Sequence, residues 1–177
     1  MDLKDLEQKM DKKTKLLLLC HPHNPVGCVW EKDVLENLVY LCAKNNITIV
    51  SDEIHSDLML NGIKHIPIAS VSDTAANISV TCIAPSKTFN LAGMASSALI
   101  IPNNELKKPM DKVLDQVHIG SGNLFGMTAM QAAYENGDDW LNQLLKYLEV
   151  NLDLLTDFFH LRLPRIKVYI PQATYMV

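Results

Sequence analysis

The sequence has no apolar run long enough to cross a lipid bilayer, since stretches such as KLLLLC at residues 15–20 are only strand-sized. It also lacks a strong excess of either charge, and a net charge of −4 gives no electrostatic reason to expect nucleic acid as a partner. The amino-terminal MDLKDLEQKMDKKTK is charged throughout and has no apolar centre of the kind found in secretory signals. We therefore expect a cytoplasmic protein that binds neither membranes nor nucleic acids.

Cysteine is sparse, and no repeat or low-complexity tract is present. The four cysteines lie in apolar contexts, and we expect reduced thiols in the core: Cys20, Cys28, Cys42 and Cys82. What the sequence does contain is 48% apolar and 20% charged residues over 177 positions. That composition is typical of a globular domain with a substantial core.

Apolar runs and helical patterns alternate along the chain. The runs predict strands at residues 15–20, 47–50, 79–85 and 97–102. Helical spacing predicts helices in MDLKDLEQKM and in EKDVLENLVYLCAKNN. It also predicts a helix in NELKKPMDKVLDQVH with a break at Pro109, and one in LFGMTAMQAAYENG after a GSGN turn at 120–123. A last, long helix is predicted from an apolar stripe that runs from Leu141 to Phe159. PRIKVYIP is expected to begin a further β element. Because the strands are apolar throughout, we expect an α/β fold whose mostly parallel sheet is covered on both faces.

Polar residues follow three of these strands at the point where each strand ends. HPHNPVG follows the first, SDEIHSDL the second and PSKTFN the third. Ligands of α/β sheets bind at the carboxyl ends of the strands, so the three clusters should meet at one edge. Any single cluster could be an ordinary turn or a solvated loop, but their convergence favours a ligand site.

The side chains in these clusters match the needs of one cofactor. Lys87 at an enclosed strand end would have a lowered pKa and could form a Schiff base with a carbonyl. Asp52 could keep a ring nitrogen protonated, Asn24 could donate to a phenolate oxygen, and Ser86 could donate to a phosphate. Those demands describe pyridoxal 5′-phosphate (PLP).

The same residues fit two other kinds of site less well. A zinc site would use Cys20, His21, His23 and Cys28, but their spacing matches none of the standard zinc patterns. A Ser/His/Asp hydrolase is disfavoured because no glycine-flanked serine elbow appears.

The motifs NPVG, SDEIHSDL and APSKTFNLAGM together resemble the class I/II aminotransferase superfamily, PLP enzymes of fold type I. PHNPVG, DEIHSD and PSKTFNLAG are most similar to its MalY/PatB-like cystathionine β-lyase (C–S lyase) branch, and the resemblance extends to the closing PQATYMV. It implies that residues 1–137 are part of the PLP-binding large domain. Residues 138–177 would be the interdomain helix and the start of the small domain, with both domains incomplete.

The resemblance implies roles for five residues. Lys87 would attach the cofactor and shuttle the proton at the substrate Cα, while Asp52 would pair with the pyridinium nitrogen. Asn24 would hydrogen-bond the ring 3′-oxygen, and Ser86 would contact the phosphate. His55, three residues after Asp52, lies where many aminotransferases have a tyrosine near that oxygen.

The resemblance also implies that parts of the family's usual chain and two of its usual arginines are absent. Family members are about twice as long, so we expect this chain to be a central fragment. The position of a phosphate-binding arginine in many aminotransferases is Ala95, as is common in the lyase branch, and neither Arg162 nor Arg165 matches the arginine that binds the substrate carboxylate. Glu53 is expected to be structural. An incomplete sheet should expose an edge and an apolar face, so we expect a homo-oligomer or a partner segment.

The implied activity is a C–S β-lyase that converts cystathionine or cysteine-like amino acids into a thiol, pyruvate and ammonia. An aminotransferase of class I/II is the first alternative. The second is a non-catalytic remnant that persists as a folded or partner-binding piece.

Overall fold

The computed structural model of the chain describes residues 1–120 and 122–177. The described residues form four strands: β1 (Leu16–Cys20), β2 (Thr48–Asp52), β3 (Ser79–Ile83) and β4 (Ala98–Ile100). They also form seven α-helices: α1 (Leu3–Lys9), α2 (Lys32–Lys44), α3 (Asp73–Ile78), α4 (Pro85–Thr88), α5 (Asn104–Gln116), α6 (Leu124–Asn136) and α7 (Asp138–Arg162). The mixed α/β architecture is as predicted.

The strands form a single sheet in the order β1-β2-β3-β4. The first three strands are parallel, as the α2 crossover predicts, and β4 runs antiparallel to β3. The register aligns Cys20 with Asp52 and Asp52 with Cys82. The carboxyl ends of β1, β2 and β3 therefore lie level with one another at one edge of the sheet, which we call the level edge.

The hydrophobic core lies between the sheet and the helices α1, α2 and α3. Leu19 and Ile49 point from the strands into this layer, where they meet Leu35 and Leu38 of α2. Full burial of each such side chain stabilises the fold by about 1.5–3 kcal/mol. The position of the core explains why apolar residues of α2 recur at helical spacing.

The expectation of a sheet covered on both faces is wrong for the described part of the chain. Leu16 and Leu18 of β1 are 51% and 75% exposed, and Leu99 of β4 is 39% exposed. The strand order explains the difference. Successive right-handed crossovers in one direction place their helices on the same face, and β1, β2 and β3 advance in one direction. We call the other face, with Leu16, Leu18 and Leu99, the open face.

Two local predictions also differ from the structure. Helix α5 runs through Pro109 without a break, since the Glu105 carbonyl that loses its helical partner lies on an exposed turn and can bond to water. The β element predicted in PRIKVYIP is not formed; Ala173 makes an isolated bridge to Met59 instead. The predicted turn at 120–123 includes Ser121, which lies outside the described residues.

Helix α7 carries its predicted apolar stripe on the inner side. Leu152 is 5% exposed, while Leu154 and Leu161 on the outer side are 70% and 80% exposed. Across residues 1–120 and 122–177, no helix combines the length and the hydrophobicity that a bilayer span requires.

Candidate functional site

Lys87 lies in α4, a single turn that begins immediately after β3. Pro85 at the first helical position favours this start, because its fixed φ suits a helix and it has no N–H to leave unpaired. The Thr88 hydroxyl donates to Asp57 Oδ2 at 2.8 Å, which ties α4 to the loop after β2. Ser86 and Lys87 are both half-buried at the level edge. The third predicted cluster therefore lies next to the second.

The imidazole of His55 lies next to Asn24 and is affected by the charges of two further predicted site residues, Asp52 and Lys87. Its Nε2 is 3.5 Å from Asn24 Nδ2, which joins the loop after β1 to the loop after β2. Burial lowers the pKa of His55, the positive charge of Lys87 lowers it further, and the Asp52 carboxylate opposes both effects. Asn24 therefore lies next to the ring, and the charges of Asp52 and Lys87 both act on it. His55 itself is 3% exposed, and the edge of Tyr175 packs against it with 5.6 Å between ring centroids.

Asp52 projects from the end of β2 on the open face. Its Oδ1 accepts a hydrogen bond from the Ile54 N–H at 3.2 Å, and the side chain is exposed. Beside it is a mainly apolar groove of about 510 Å³, lined in part by Leu18, Cys20 and Cys82. Burial raises the pKa of the Cys82 thiol, and the nearby Asp52 charge adds to this increase. The groove offers a wall for a flat apolar ring next to a carboxylate.

Glu53 follows Asp52 and points to the other side of the sheet, because successive strand side chains alternate. It is 2% exposed. Its carboxylate accepts from the Ser51 hydroxyl at 2.8 Å, from the Ile68 N–H at 3.0 Å and from His65 Nε2 at 2.7 Å. These contacts agree with the expected structural role, although the sequence pattern did not indicate His65 as a partner.

His21, directly after β1, is completely buried beside this group. Its ring centroid is 4.6 Å from that of His65, and its Nε2 donates to the Ile66 carbonyl at 3.1 Å. Burial is the main cause that lowers the pKa of His21 to about 4, and the neighbouring His65 lowers it further. His21 is therefore a neutral ring in the folded protein at neutral pH.

We expect the free energy of unfolding to decrease as the pH falls from 6.5 towards 4. The unfolded chain protonates His21 near its usual pKa of 6.5, whereas the folded chain does so only near pH 4. The stability is thus complete above pH 6.5, and His21 removes at most about 3 kcal/mol of it across this window. Urea denaturation at pH 7, 5.5 and 4.5 measures the change.

The control is a pair of variants, His21→Gln and His160→Gln. The glutamine amide at position 21 can still donate to Ile66 without taking up a proton, so that variant should lose less stability on acidification. His160 is exposed on α7, and its replacement should leave the slope unchanged. Equal slopes for all three proteins would contradict the assignment to His21.

The segment 171–175 was not predicted to belong to the site, yet it bridges two of its loops. Gln172 N–H donates to the Gly27 carbonyl at 2.8 Å, and the Gln172 side chain accepts from Val29 N–H at 3.0 Å. On the other side, Thr174 N–H donates to the Leu58 carbonyl at 2.8 Å. The segment therefore joins the loop of Asn24 to the loop of His55. One sequence signal of this contact is Gly27, whose φ of +66° favours glycine.

The structure also bears on the cysteines and on the alternative metal site. All four cysteines are free, as predicted, although only Cys42 is fully buried. No group of three or more His, Cys, Asp or Glu side chains suited to a metal ion occurs in the described residues.

Comparison with known proteins places the whole chain in one family. Residues 1–177 match the family described as aminotransferase class I and II. The chain is 46% identical to cystathionine β-lyase PatB of Bacillus subtilis (strain 168), over 100% of this chain and 46% of that protein. It is 33% identical to protein MalY of Escherichia coli (strain K12), over 99% of this chain and 45% of that protein.

Solved structures give the same result. Cystalysin from Treponema denticola, which contains a PLP cofactor, matches with a TM-score of 0.92 and 37% identity, over 99% of this chain and 45% of that one. The PLP-bound C–S lyase from Staphylococcus hominis matches with a TM-score of 0.89 and 36% identity, over 99% and 44%. The chain thus spans just under half the length of the relatives that it matches. It belongs to the PLP-dependent class I and II aminotransferase family, and within that family it resembles the cystathionine β-lyases.

Proposed function

We propose that this chain acts as a PLP-dependent C–S β-lyase, although it spans just under half the length of the relatives that it matches. Its substrates would be amino acids with a sulfur substituent on Cβ, such as cystathionine. With one water, the C–S bond breaks to release a thiol, pyruvate and ammonia. The observation that carries the proposal is the contact of Asn24 with His55, a ring on which the charges of Asp52 and Lys87 act, in a chain whose relatives include cystathionine β-lyases.

The residues at the level edge fit PLP in chemical type. Lys87 offers the amine that reacts with an aldehyde, and Asp52 offers a carboxylate for the ring nitrogen beside an apolar groove. Asn24 can donate to the ring 3′-oxygen and Ser86 to the phosphate. Nδ1 of His55 is buried without a hydrogen-bond partner in the described part of the chain, so a polar group at this position would satisfy it.

PLP, when bound, supplies an electron sink for the bond electrons released at the substrate Cα. The chain's own residues would do the rest. The Lys87 amine would remove the Cα proton and carry it, and the Asp52 charge would keep the ring nitrogen protonated. The side chains of Asn24 and His55 would orient the ring at its other side. The position of Lys87 directly after β3, at the same edge of the sheet as Asp52, favours this role.

Thiol release without a keto acid is the expected result when the 177-residue chain is incubated with PLP and L-cystathionine. Thiol and pyruvate should form in equal amounts, because each C–S cleavage yields one of each. L-Alanine is the matched control, since it has no leaving group on Cβ and should give no pyruvate in the absence of a keto acid.

The other outcomes identify the alternative functions. Strict dependence on an added keto acid would instead select an aminotransferase. No change in cofactor absorbance on adding PLP would select a non-catalytic remnant.

We also propose that the chain acts as a homo-oligomer in the cytoplasm, because association would cover the open face. Leu16 and Leu18 form an exposed apolar surface on that face, next to the edge of β1 that pairs with no other strand of residues 1–120 and 122–177.

A further inference from the structure

Glu53 is a buried carboxylate that the proposed chemistry does not use. Removing a carboxylate from water is strongly unfavourable unless hydrogen bonds replace the lost hydration. Here one oxygen accepts from Ser51 and Ile68 and the other accepts from His65, so both oxygens are satisfied. A group this costly to bury, next to the predicted cofactor acid Asp52, requires an explanation beyond packing.

The backbone around Asp52 is held in two directions by the sheet. The Asp52 carbonyl accepts from the His21 N–H at 3.0 Å, and the Glu53 N–H donates to the Cys82 carbonyl at 2.9 Å. These bonds secure the peptide within the plane of the sheet. They leave rotation of the strand end about its own axis less restricted, and this rotation sets where the Asp52 side chain points.

The Glu53 side chain restricts the rotation of the strand end about its own axis. It extends to the face opposite Asp52 and is tied there to the segment of His65 and Ile68. Glu53 directly follows β2 in extended pairing with Cys82, so holding its side chain on the core face holds that of Asp52 on the open face. His21 packs against His65 and limits the movement of that ring.

We propose that Glu53 is a positioning residue for Asp52, a role that rests on the proposed function. Its contacts with Ser51, His65 and Ile68 keep the end of β2 from rotating, so that the Asp52 carboxylate faces the groove. The Ile54 N–H bond to Asp52 Oδ1 reports on this geometry without any cofactor.

The variants Glu53→Ala and Glu53→Gln separate the contacts from the charge. Alanine removes all three contacts. Glutamine keeps an oxygen for Ser51 and Ile68, and its amide can donate to His65 Nε2 if that ring moves its proton to Nδ1, which has no other partner in the described residues. Glu36→Ala on the exposed side of α2 and the core variant Leu35→Ala are the controls, the second for general loss of stability.

The first readout is amide hydrogen exchange at Ile54 in the chain without PLP. We expect exchange at least tenfold faster in Glu53→Ala, and within threefold of wild type in Glu53→Gln, Glu36→Ala and Leu35→Ala. Wild-type exchange in Glu53→Ala would overturn the proposal, and so would equal acceleration in Leu35→Ala, since that would reflect stability alone.

The second readout uses PLP labelled with ¹⁵N at the ring. Its ¹⁵N shift across a pH series should show that the ring nitrogen loses its proton at least one pH unit lower in Glu53→Ala than in wild type. The binding of PLP to Glu53→Ala should also be tenfold weaker, as measured by its Kd. An unchanged ring-nitrogen titration in Glu53→Ala would overturn the proposal. Failure of the wild-type chain to bind PLP would remove the proposed function, and the exchange at Ile54 would still decide the role of Glu53.

Discussion

Replacement of Lys87 by alanine is expected to abolish covalent attachment of PLP to this chain. Lys87 is the amine at the level edge whose positive charge acts on His55, and no other residue of α4 carries an amine. After addition of PLP and reduction with borohydride, peptide mapping should find the phosphopyridoxyl group on Lys87 in the wild type. In Lys87→Ala the label at this site should be absent, and β-elimination should fall to the background level.

Lys87→Arg and Lys64→Ala are the matched variants. Arginine retains the positive charge near His55 but does not offer a nucleophilic amine, so it should also lose the label while keeping the pKa of His55 low. Lys64 is an exposed lysine in a loop, and its removal should change nothing. Label on another lysine in the wild type, or full labelling of Lys87→Arg, would contradict the assignment.

Gly27→Ala is expected to cause a large loss of stability and to weaken PLP binding. A Cβ at this position would collide with Pro171 Cβ and lie 2.6 Å from the Ala173 carbonyl oxygen, at a φ of +66°. Strain in the left-handed region and overpacking together should lower the free energy of unfolding by about 2–5 kcal/mol. Because segment 171–175 would be pushed away, Asn24 and His55 should also lose their relative positions, and PLP binding should weaken.

Gly62→Ala is the control that separates the two causes. Gly62 has a φ of +70°, but a Cβ there would have no atom within 4 Å. Its replacement should cost only the backbone strain, about 1–2 kcal/mol, and leave PLP binding unchanged. Urea denaturation and PLP titration of both variants make the comparison, and equal losses at the two positions would show that the contact with segment 171–175 is unimportant.

Much of the fold could be predicted from local patterns. The run of leucines in β1 and the helical spacing of Leu35 and Leu38 depend only on neighbours along the chain, which is why these elements lie within a few residues of their predicted bounds. The meeting of three polar clusters was also predictable, because parallel strands joined by helices must have their carboxyl ends at one edge. The roles of Asn24, Asp52, His55, Ser86 and Lys87 remain predictions.

Contacts between distant segments could not be predicted in this way. The sequence alone determined that this is an α/β chain with an amine, an acid and an amide at neighbouring strand ends. Only the tertiary structure decided which face of the sheet stays open, that segment 171–175 joins the loops of Gly27 and Leu58, and that Glu53 is held by His65. The physical reason is that hydrophobic periodicity records whether a residue is buried, whereas the identity of its partner depends on how separate elements pack.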